Sequence, residues 1–148
     1  MKKVFQTIID RGDGDCMRAC VSSILDLTIE QVPHFRRFDK MKKGNAVLLL
    51  MNFFEWMGWQ YEGNRSIYKD TEGITLNYPE MVDSIDGYFL ATVKSRTFDD
   101  NTTHMVVIDN TGLVVHDPNI KNPAYQNENI IENKECLYWF MFSKMKEK

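Results

Sequence analysis

The sequence has few cysteines, few prolines and no excess of positive charge, and each shortage excludes a class of protein. Three cysteines among 148 residues, without regular spacing, make neither a disulfide framework nor a structural zinc site. Four prolines, eight glycines and no internal repeat leave no long linker, so we expect a single domain over residues 1–148. A net charge of −3 excludes the overall basic surface typical of nucleic-acid-binding proteins.

Long apolar runs are also missing. No stretch approaches the roughly 18 apolar residues of a membrane span, and the run near the N-terminus is too short for a signal peptide. These absences predict a soluble, cytoplasmic protein with free thiols and no cofactor. Apolar side chains are abundant in total, at 43% of the chain with nine Phe, six Tyr and three Trp, which is ample for one hydrophobic core.

The order of the predicted elements indicates an α+β fold. Apolar residues at helical spacing predict helices over residues 16–27, with Asp15 as N-cap, and over residues 44–58. Period-two and β-branched patterns predict strands over residues 4–9, 59–61, 88–94, 105–108, 113–116 and 137–142. Because helices come first and strands mostly last, we expect N-terminal helices packed on a C-terminal antiparallel sheet.

Cys16 is a candidate nucleophile because it occupies the first position of a predicted helix. Unpaired N–H groups and the positive end of the helix dipole stabilise an anion there, which favours a thiolate. Most free cysteines are simply small buried side chains, and Asp15 beside this one opposes thiolate formation. The site therefore needs a cationic partner, and His104, at the start of an apolar strand, is the best candidate.

A hairpin would bring a carboxylate to His104. Residues 109–112 are strong turn formers, and pairing Ile108 with Leu113 sets Asp117 directly opposite His104, with β-carbons roughly 5 Å apart. Asp117 would then fix the tautomer of the ring and stabilise its protonated form. Centring the turn one residue later shifts the pairing by two and sets Asn119 opposite His104 instead. The simpler interpretation of Asp117 is a turn initiator before Pro118.

The remaining candidates are weaker. Gln6 lies ten residues before Cys16, and its amide together with the Cys16 N–H would make an oxyanion hole. His34 is an alternative base in a predicted loop, and His116 faces the other side of its strand and is interpreted as structural. Cys20, one helical turn after Cys16, is either a core residue or the second thiol of a redox pair, although cysteines four apart on a helix close poorly into a disulfide.

These motifs resemble the papain-like cysteine peptidases, in particular the small C39-like proteins of bacteria and phages. Residues 14–27 (GDCMRACVSSILDL) and 32–35 (VPHF) are similar to the start of that fold, and residues 103–108 (THMVVI) and 114–118 (VVHDP) to its His strand and Asp-Pro motif. The resemblance implies a papain-like fold with Cys16 as nucleophile, His104 as base and Asp117 as orienting acid. It also implies Gln6 as oxyanion donor, although the Gln-to-Cys gap is longer than in papain itself.

The sequence thus predicts a cysteine hydrolase that cleaves a peptide or isopeptide bond through a thioester at Cys16. Acyl transfer to an amine, a catalytically silent binding module and a thiol-redox protein using Cys16 and Cys20 are the alternatives. The expected partner is a peptide or protein substrate. Five basic residues in the stretch 36–43 could contact an acidic partner or nucleic acid, but such a run is usually a solvated surface. We expect no clear nucleic-acid or membrane binding and no metal site.

Overall fold

The computed structural model of the protein describes residues 1–11, 14–39, 44–98 and 101–146. Within these ranges, three helices lie in the N-terminal part of the chain: α1 (Cys16–Ile24), α2 (Phe35–Asp39) and α3 (Asn45–Trp56). The strands that follow are β1 (Trp59–Arg65), β2 (Tyr68–Asp70), β3 (Gly73–Thr75), β4 (Phe89–Lys94), β5 (Thr103–Ile108), β6 (Val114–His116) and β7 (Cys136–Lys144). Short 3₁₀ turns span Ile29–Gln31 and Met81–Asp83. The predicted α+β class is confirmed.

Five of these strands form one antiparallel sheet in the order β1-β7-β4-β5-β6. The C-terminal strand β7 therefore lies between β1 and β4, in the interior of the sheet. Side chains of β4 and β5 alternate between two buried clusters, which explains why both strands are apolar on both faces. All three helices contribute to one cluster, so the expectation of helices gathered on one face of the sheet is confirmed.

The opposite face of the sheet is covered by the irregular chain between β6 and β7. Its fully buried residues Tyr125, Ile130 and Ile131 pack against Trp139 of β7. Burial of each large apolar side chain contributes roughly 1.5–3 kcal/mol. This packing holds the segment that follows β6 close to the sheet.

Helix α1 begins at Cys16, as predicted, but ends three residues earlier than expected. Asp26 takes a left-handed conformation (φ 55°), which stops the helix. The N–H of Leu27 then bonds to the carbonyl of Ser22 and that of Asp26 to Ser23, the pattern of a Schellman motif. The buried face of the helix, which includes Cys20 and Ile24, packs against the sheet.

Residues 4–9 do not form the predicted strand. The segment is held by separate hydrogen bonds: the N–H of Gln6 bonds to the carbonyl of Pro118 at 2.9 Å, and the N–H of Val4 bonds to the Ser23 hydroxyl. Asp15 occupies the N-cap position of α1, but its side chain makes no capping bond. Its buried carboxylate instead accepts hydrogen bonds from the Thr7 N–H and hydroxyl and from the Ile8 N–H. The predicted capping role of the Asp15 side chain is therefore wrong: the carboxylate ties the N-terminal segment to the start of α1.

Several elements were not predicted. Helix α2 has only five residues, and β2 and β3 form a separate two-stranded hairpin. The helix predicted over residues 44–58 is shorter at both ends, where Gly44 and Gly58 adopt φ values of 90° and 91°. Of the basic stretch 36–43, residues 40–43 lie outside the described ranges.

Candidate active site

Cys16 stands where α1 meets the sheet. As the first residue of the helix it presents its N–H, together with those of the next two residues, without an acceptor inside the helix. Its side chain is half-buried and lines a cavity of about 570 Å³. Because α1 packs on β5, the thiol lies beside the first residues of that strand.

His104 is the second residue of β5, and its ring contacts both candidate partners. Nε2 lies 2.8 Å from Oδ1 of Asp117. The ring also lies close enough to the Cys16 thiol for each group to shift the pKa of the other. With Nε2 engaged by the carboxylate, Nδ1 is the nitrogen left for the sulfur. The ring is largely buried, with 14% of its side chain exposed. The structure therefore brings Cys16, His104 and Asp117 into one connected row.

The hairpin that brings His104 to Asp117 differs from the predicted one. Ile108 pairs with Val114 and Val107 with His116, so one residue of β6, Val115, forms a bulge. The predicted pairing of Ile108 with Leu113 is wrong, and the register beyond the bulge is the one that was expected to favour Asn119. Asp117 reaches the imidazole as a diagonal neighbour on the same face, just after β6 ends.

Asp117 is buried and held by its own chain. Oδ1 accepts a hydrogen bond from the Asn119 N–H and Oδ2 one from the Tyr125 N–H, both at 3.1 Å. The Asn119 amide donates to the Thr97 hydroxyl instead of contacting His104. Between the two residues left open by the sequence, Asp117 therefore orients the ring and Asn119 supports Asp117.

The charges of the row stabilise one another. Burial by itself raises the pKa of the Cys16 thiol, but the hydrogen bond and the charge of His104, with smaller effects from the Met105 backbone and Arg36, lower it below the ordinary value of 9.0. Burial lowers the pKa of His104, yet hydrogen bonds to Asp117 and Cys16 raise it from 6.5 to about 10. Burial likewise raises the pKa of Asp117, but the bond to His104 brings it below 3.8. Near neutral pH, His104 is therefore an imidazolium and Asp117 a carboxylate, and Cys16 ionises more readily than an ordinary thiol.

Gln6 lies beside this row rather than in it. Its Nε2 donates to the Ile8 carbonyl at 3.1 Å, and its buried Oε1 has no hydrogen-bond partner among the residues that the structure describes. The side chain borders a small cavity that Cys16 and His104 also line. Gly14 fits between Gln6 and Asp10, because a Cβ there would lie 3.7 Å from Gln6 Nε2 and only 2.7 Å from the Asp10 carbonyl oxygen. The absence of a side chain at Gly14 thus permits the close approach of the Asp10 carbonyl, whereas the distance to Gln6 is an ordinary van der Waals contact.

The other candidate residues lie elsewhere or are engaged. His116 is buried, donates from Nε2 to the Val4 carbonyl at 2.7 Å and is packed edge-on against Phe5. His34 is buried but does not line either cavity at Cys16. Cys20 is fully buried, and its thiol donates to the Met105 carbonyl at 3.3 Å. Burial raises the pKa of Cys20 well above 9.0, which makes it a poor second thiol for a redox pair.

Two residues of the site were not identified from the sequence. Arg36, from α2, lines the cavity beside Cys16, and the Tyr125 N–H binds the orienting carboxylate. A basic run was noted around Arg36, but nothing in it distinguished a residue of the site from a solvated one. Tyr125 contributes a backbone group, which no side-chain pattern could have revealed.

In the described part of the chain, no group of three or more His, Cys, Asp or Glu side chains could hold a metal ion. No helix in those ranges is long and apolar enough to cross a bilayer. Comparison with known protein families, with curated proteins and with solved structures found no match to the chain.

Proposed function

We propose that the protein is a cysteine hydrolase of papain-like fold that cleaves an amide bond, in a peptide or an isopeptide, through a thioester at Cys16. The observation that carries this proposal is the row in which Cys16 and His104 line the same cavity and His104 contacts Asp117 at 2.8 Å. The thiol also borders a cavity large enough for a peptide segment. Support for the fold comes from the resemblance of the Cys and His segments to papain-like peptidases and from the helix-on-sheet arrangement.

The reaction follows from the protonation states of the three groups. The Cys16 thiolate attacks the carbonyl carbon, a C–S bond forms, and the carbonyl electron pair moves onto oxygen. When this intermediate collapses, the C–N bond breaks and the His104 imidazolium gives its proton to the leaving amine. His104, now neutral, takes a proton from water as the water attacks the thioester. The C–S bond then breaks, and the product acid and the thiolate–imidazolium pair remain.

Asp117 acts through His104. Its carboxylate accepts a hydrogen bond from Nε2–H, which holds Nδ1 toward the sulfur and stabilises the protonated ring before the thiolate attacks. The two backbone N–H groups on Asp117 keep the carboxylate in place during turnover. Asp117 is therefore a positioning residue in this mechanism.

The oxyanion would form at the N-terminus of α1. The Cys16 N–H points along the helix axis toward that end, and the Gln6 amide borders the adjoining cavity. One N–H of the amide bonds to Ile8, so the other is the donor for an oxyanion. We include Gln6 in the proposal as that second donor.

Alkylation of the thiols by iodoacetamide, followed by peptide mapping, tests the proposal. We expect Cys16 to react near neutral pH faster than free cysteine, with a pH profile whose midpoint lies below 9.0. Cys20 and Cys136 serve as internal controls, because both are buried and burial raises their pKa values, that of Cys136 to about 12. They should be labelled only after unfolding.

The His104→Ala variant completes the test. Without the imidazolium, nothing from His104 offsets the effect of burial, which raises the pKa of the thiol. The midpoint of the alkylation pH profile of Cys16 should therefore rise to 9.0 or above. If Cys16 of the unmodified protein reacts no faster than free cysteine, and His104→Ala leaves its rate unchanged, the enzymatic proposal fails. A silent binding module would keep the reactive thiol but release at most one equivalent of nitrophenol from p-nitrophenyl acetate. A hydrolase continues to release nitrophenol after the first equivalent, because water hydrolyses the thioester.

A further inference from the structure

The cavity beside Cys16 has a charge opposite to that of the whole chain. Among the described residues that line it, Arg11 and Arg36 are charged, in addition to the Cys16 thiolate and the His104 imidazolium of the proposed mechanism. The chain as a whole carries a net charge of −3. Cationic groups concentrated around a reactive thiol in an acidic protein point to a ligand of negative charge.

Arg36 is held at the edge of the cavity by its neighbour. It is the second residue of α2 and is half-buried, and its Nη2 donates to the Arg11 carbonyl at 2.9 Å. Within the described ranges, this is the hydrogen bond that the structure gives to the Arg36 guanidinium. A guanidinium has five N–H donors in a planar fork, so it can also bind a carboxylate through two parallel bonds.

The rest of the wall suits a peptide rather than a small ion. Met17, Ala46 and Met105 give apolar surface, and Thr92 and Tyr138 add polar groups. A volume of about 570 Å³ exceeds the size of an inorganic anion several-fold and is typical of cavities that bind small organic ligands. A ligand that fills it therefore has an apolar stem as well as an anionic group.

We propose that the substrate carries a carboxylate close to the scissile bond and that Arg36 binds this carboxylate, with Arg11 adding positive charge. The inference rests on the proposed hydrolase function and names the substrate class of the same site. A neutral substrate would desolvate the Arg36 guanidinium without supplying a counter-charge, so the cavity selects against it. The carboxylate belongs either to an Asp or Glu side chain or to the C-terminus of a peptide.

Two alkylating reagents of nearly equal size test the charge preference directly. Iodoacetate and iodoacetamide both react with the Cys16 thiolate, forming an S–C bond and releasing iodide, but only iodoacetate carries a carboxylate. We expect the ratio of the iodoacetate rate to the iodoacetamide rate at Cys16 to exceed that of a cysteine peptide by about tenfold at low ionic strength. The ratio cancels any change in the amount of thiolate.

Variants at Arg36 assign the preference to this residue. Arg36→Gln should lower the ratio to near that of the cysteine peptide, and Arg36→Lys should give an intermediate value, because it keeps the charge and loses the fork. Arg65→Gln is the matched control, since it removes the same charge from an exposed position on β1 outside the cavity, and it should leave the ratio unchanged. Should Arg36→Gln fail to fold, a decline of the ratio with added salt in the unmodified protein shows that the preference is electrostatic, and Arg36→Lys assigns it to this residue.

The outcomes separate this inference from the proposed function. A Cys16 that reacts rapidly with both reagents, with a ratio that neither Arg36→Gln nor salt changes, overturns the carboxylate preference and leaves the hydrolase standing. A Cys16 that is inert to both reagents overturns the hydrolase.

Protection of Cys16 from iodoacetamide identifies the source of the carboxylate. N-acetylglutamate α-amide carries a side-chain carboxylate, N-acetylglutamine carries an α-carboxylate, and N-acetylglutamine amide carries neither. Protection by the first compound assigns an acidic side chain, and protection by the second assigns a peptide C-terminus. Equal protection by all three compounds contradicts a role for the carboxylate.

Discussion

Replacing Asp117 by Asn removes one charge from the interior and one hydrogen-bond acceptor from a crowded position. Three donors converge on the carboxylate: His104 Nε2 at 2.8 Å, and the N–H groups of Asn119 and Tyr125 at 3.1 Å. An amide has a single acceptor oxygen, so either orientation of the new side chain turns its NH₂ group toward one of these donors. Because Asp117 is 1% exposed, water cannot compensate the lost bond.

The expected cost follows from the pKa of His104. Its increase from 6.5 to about 10 corresponds to roughly 5 kcal/mol of preference for the protonated ring, at 1.4 kcal/mol for each tenfold change. Asp117 and Cys16 share this preference, and the bond to Asp117 is the largest favourable contribution. We therefore expect Asp117→Asn to lower the free energy of unfolding by about 2–4 kcal/mol near neutral pH.

The loss of stability caused by Asp117→Asn should depend on pH in both the acidic and the alkaline range. The folded-state pKa of Asp117 lies below 3.8, so its contribution to stability is present above that value and is lost as the pH falls through the folded-state pKa. The folded-state pKa of His104 is raised, so its contribution is complete below 6.5 and is lost as the pH rises toward about 10. The difference between the two proteins should therefore be widest between about pH 5 and 6.5 and should narrow in acid and in alkali.

Urea unfolding followed by tryptophan fluorescence across this pH range measures the difference. Asp109→Asn is the matched control, because Asp109 lies in the same hairpin and accepts from Thr111 and Leu113 through Oδ1, which an amide can keep. Its cost should stay below about 1 kcal/mol. A loss at Asp117→Asn of under about 0.5 kcal/mol, or a loss that is constant with pH, would refute the account of a buried charge pair.

Three further predictions concern the surroundings of Cys16. Gly14→Ala should lower the free energy of unfolding by about 1–3 kcal/mol and slow alkylation of Cys16, because its Cβ would lie 2.7 Å from the Asp10 carbonyl oxygen. A variant as stable in urea as the unmodified protein would contradict this close approach. Gln6→Ala should slow acylation by p-nitrophenyl acetate by about a hundredfold and leave alkylation unchanged, since alkylation forms no oxyanion. Equal effects on both rates would contradict a role for Gln6 in the oxyanion hole. Peroxide should oxidise Cys16 without linking it to Cys20, whose buried thiol donates to a backbone carbonyl. A mass loss of two hydrogen atoms across this pair, with peroxide reduced to water, would favour the redox alternative.

The main elements of the fold could be predicted because their patterns are local. Apolar residues at helical spacing predict the start of α1 at Cys16, and β-branched runs predict β4 and β5, whose side chains are buried on both faces. The segment at residues 4–9 has the same apolar character but finds no strand to pair with. Its backbone bonds instead to Ser23 and Pro118, which only the tertiary fold brings near.

The candidate nucleophile and its base were proposed from residue type and position, but the roles of the residues around them were not. The side chain of Asp15 was expected to cap α1, and the structure uses its carboxylate to hold Thr7 and Ile8. A capping role depends on which N–H groups come within reach, and the N-terminal segment offers two that the helix does not. Arg36 was one of several basic residues until the position of α2 placed it at the cavity.

The row of Cys16, His104 and Asp117 separates what the sequence predicts from what only the tertiary structure determines. The sequence by itself determined that a thiol begins a helix, that a histidine begins a buried strand and that a hairpin returns an Asp toward it. It could not choose the register, because a shift of two residues keeps the same side chains on the same face and costs no hydrophobic burial. The bulge at Val115 set the register, and the backbone of Asn119 and Tyr125 then placed the Asp117 carboxylate on the imidazole. Such contacts join segments far apart in the chain, so only the tertiary structure decides them.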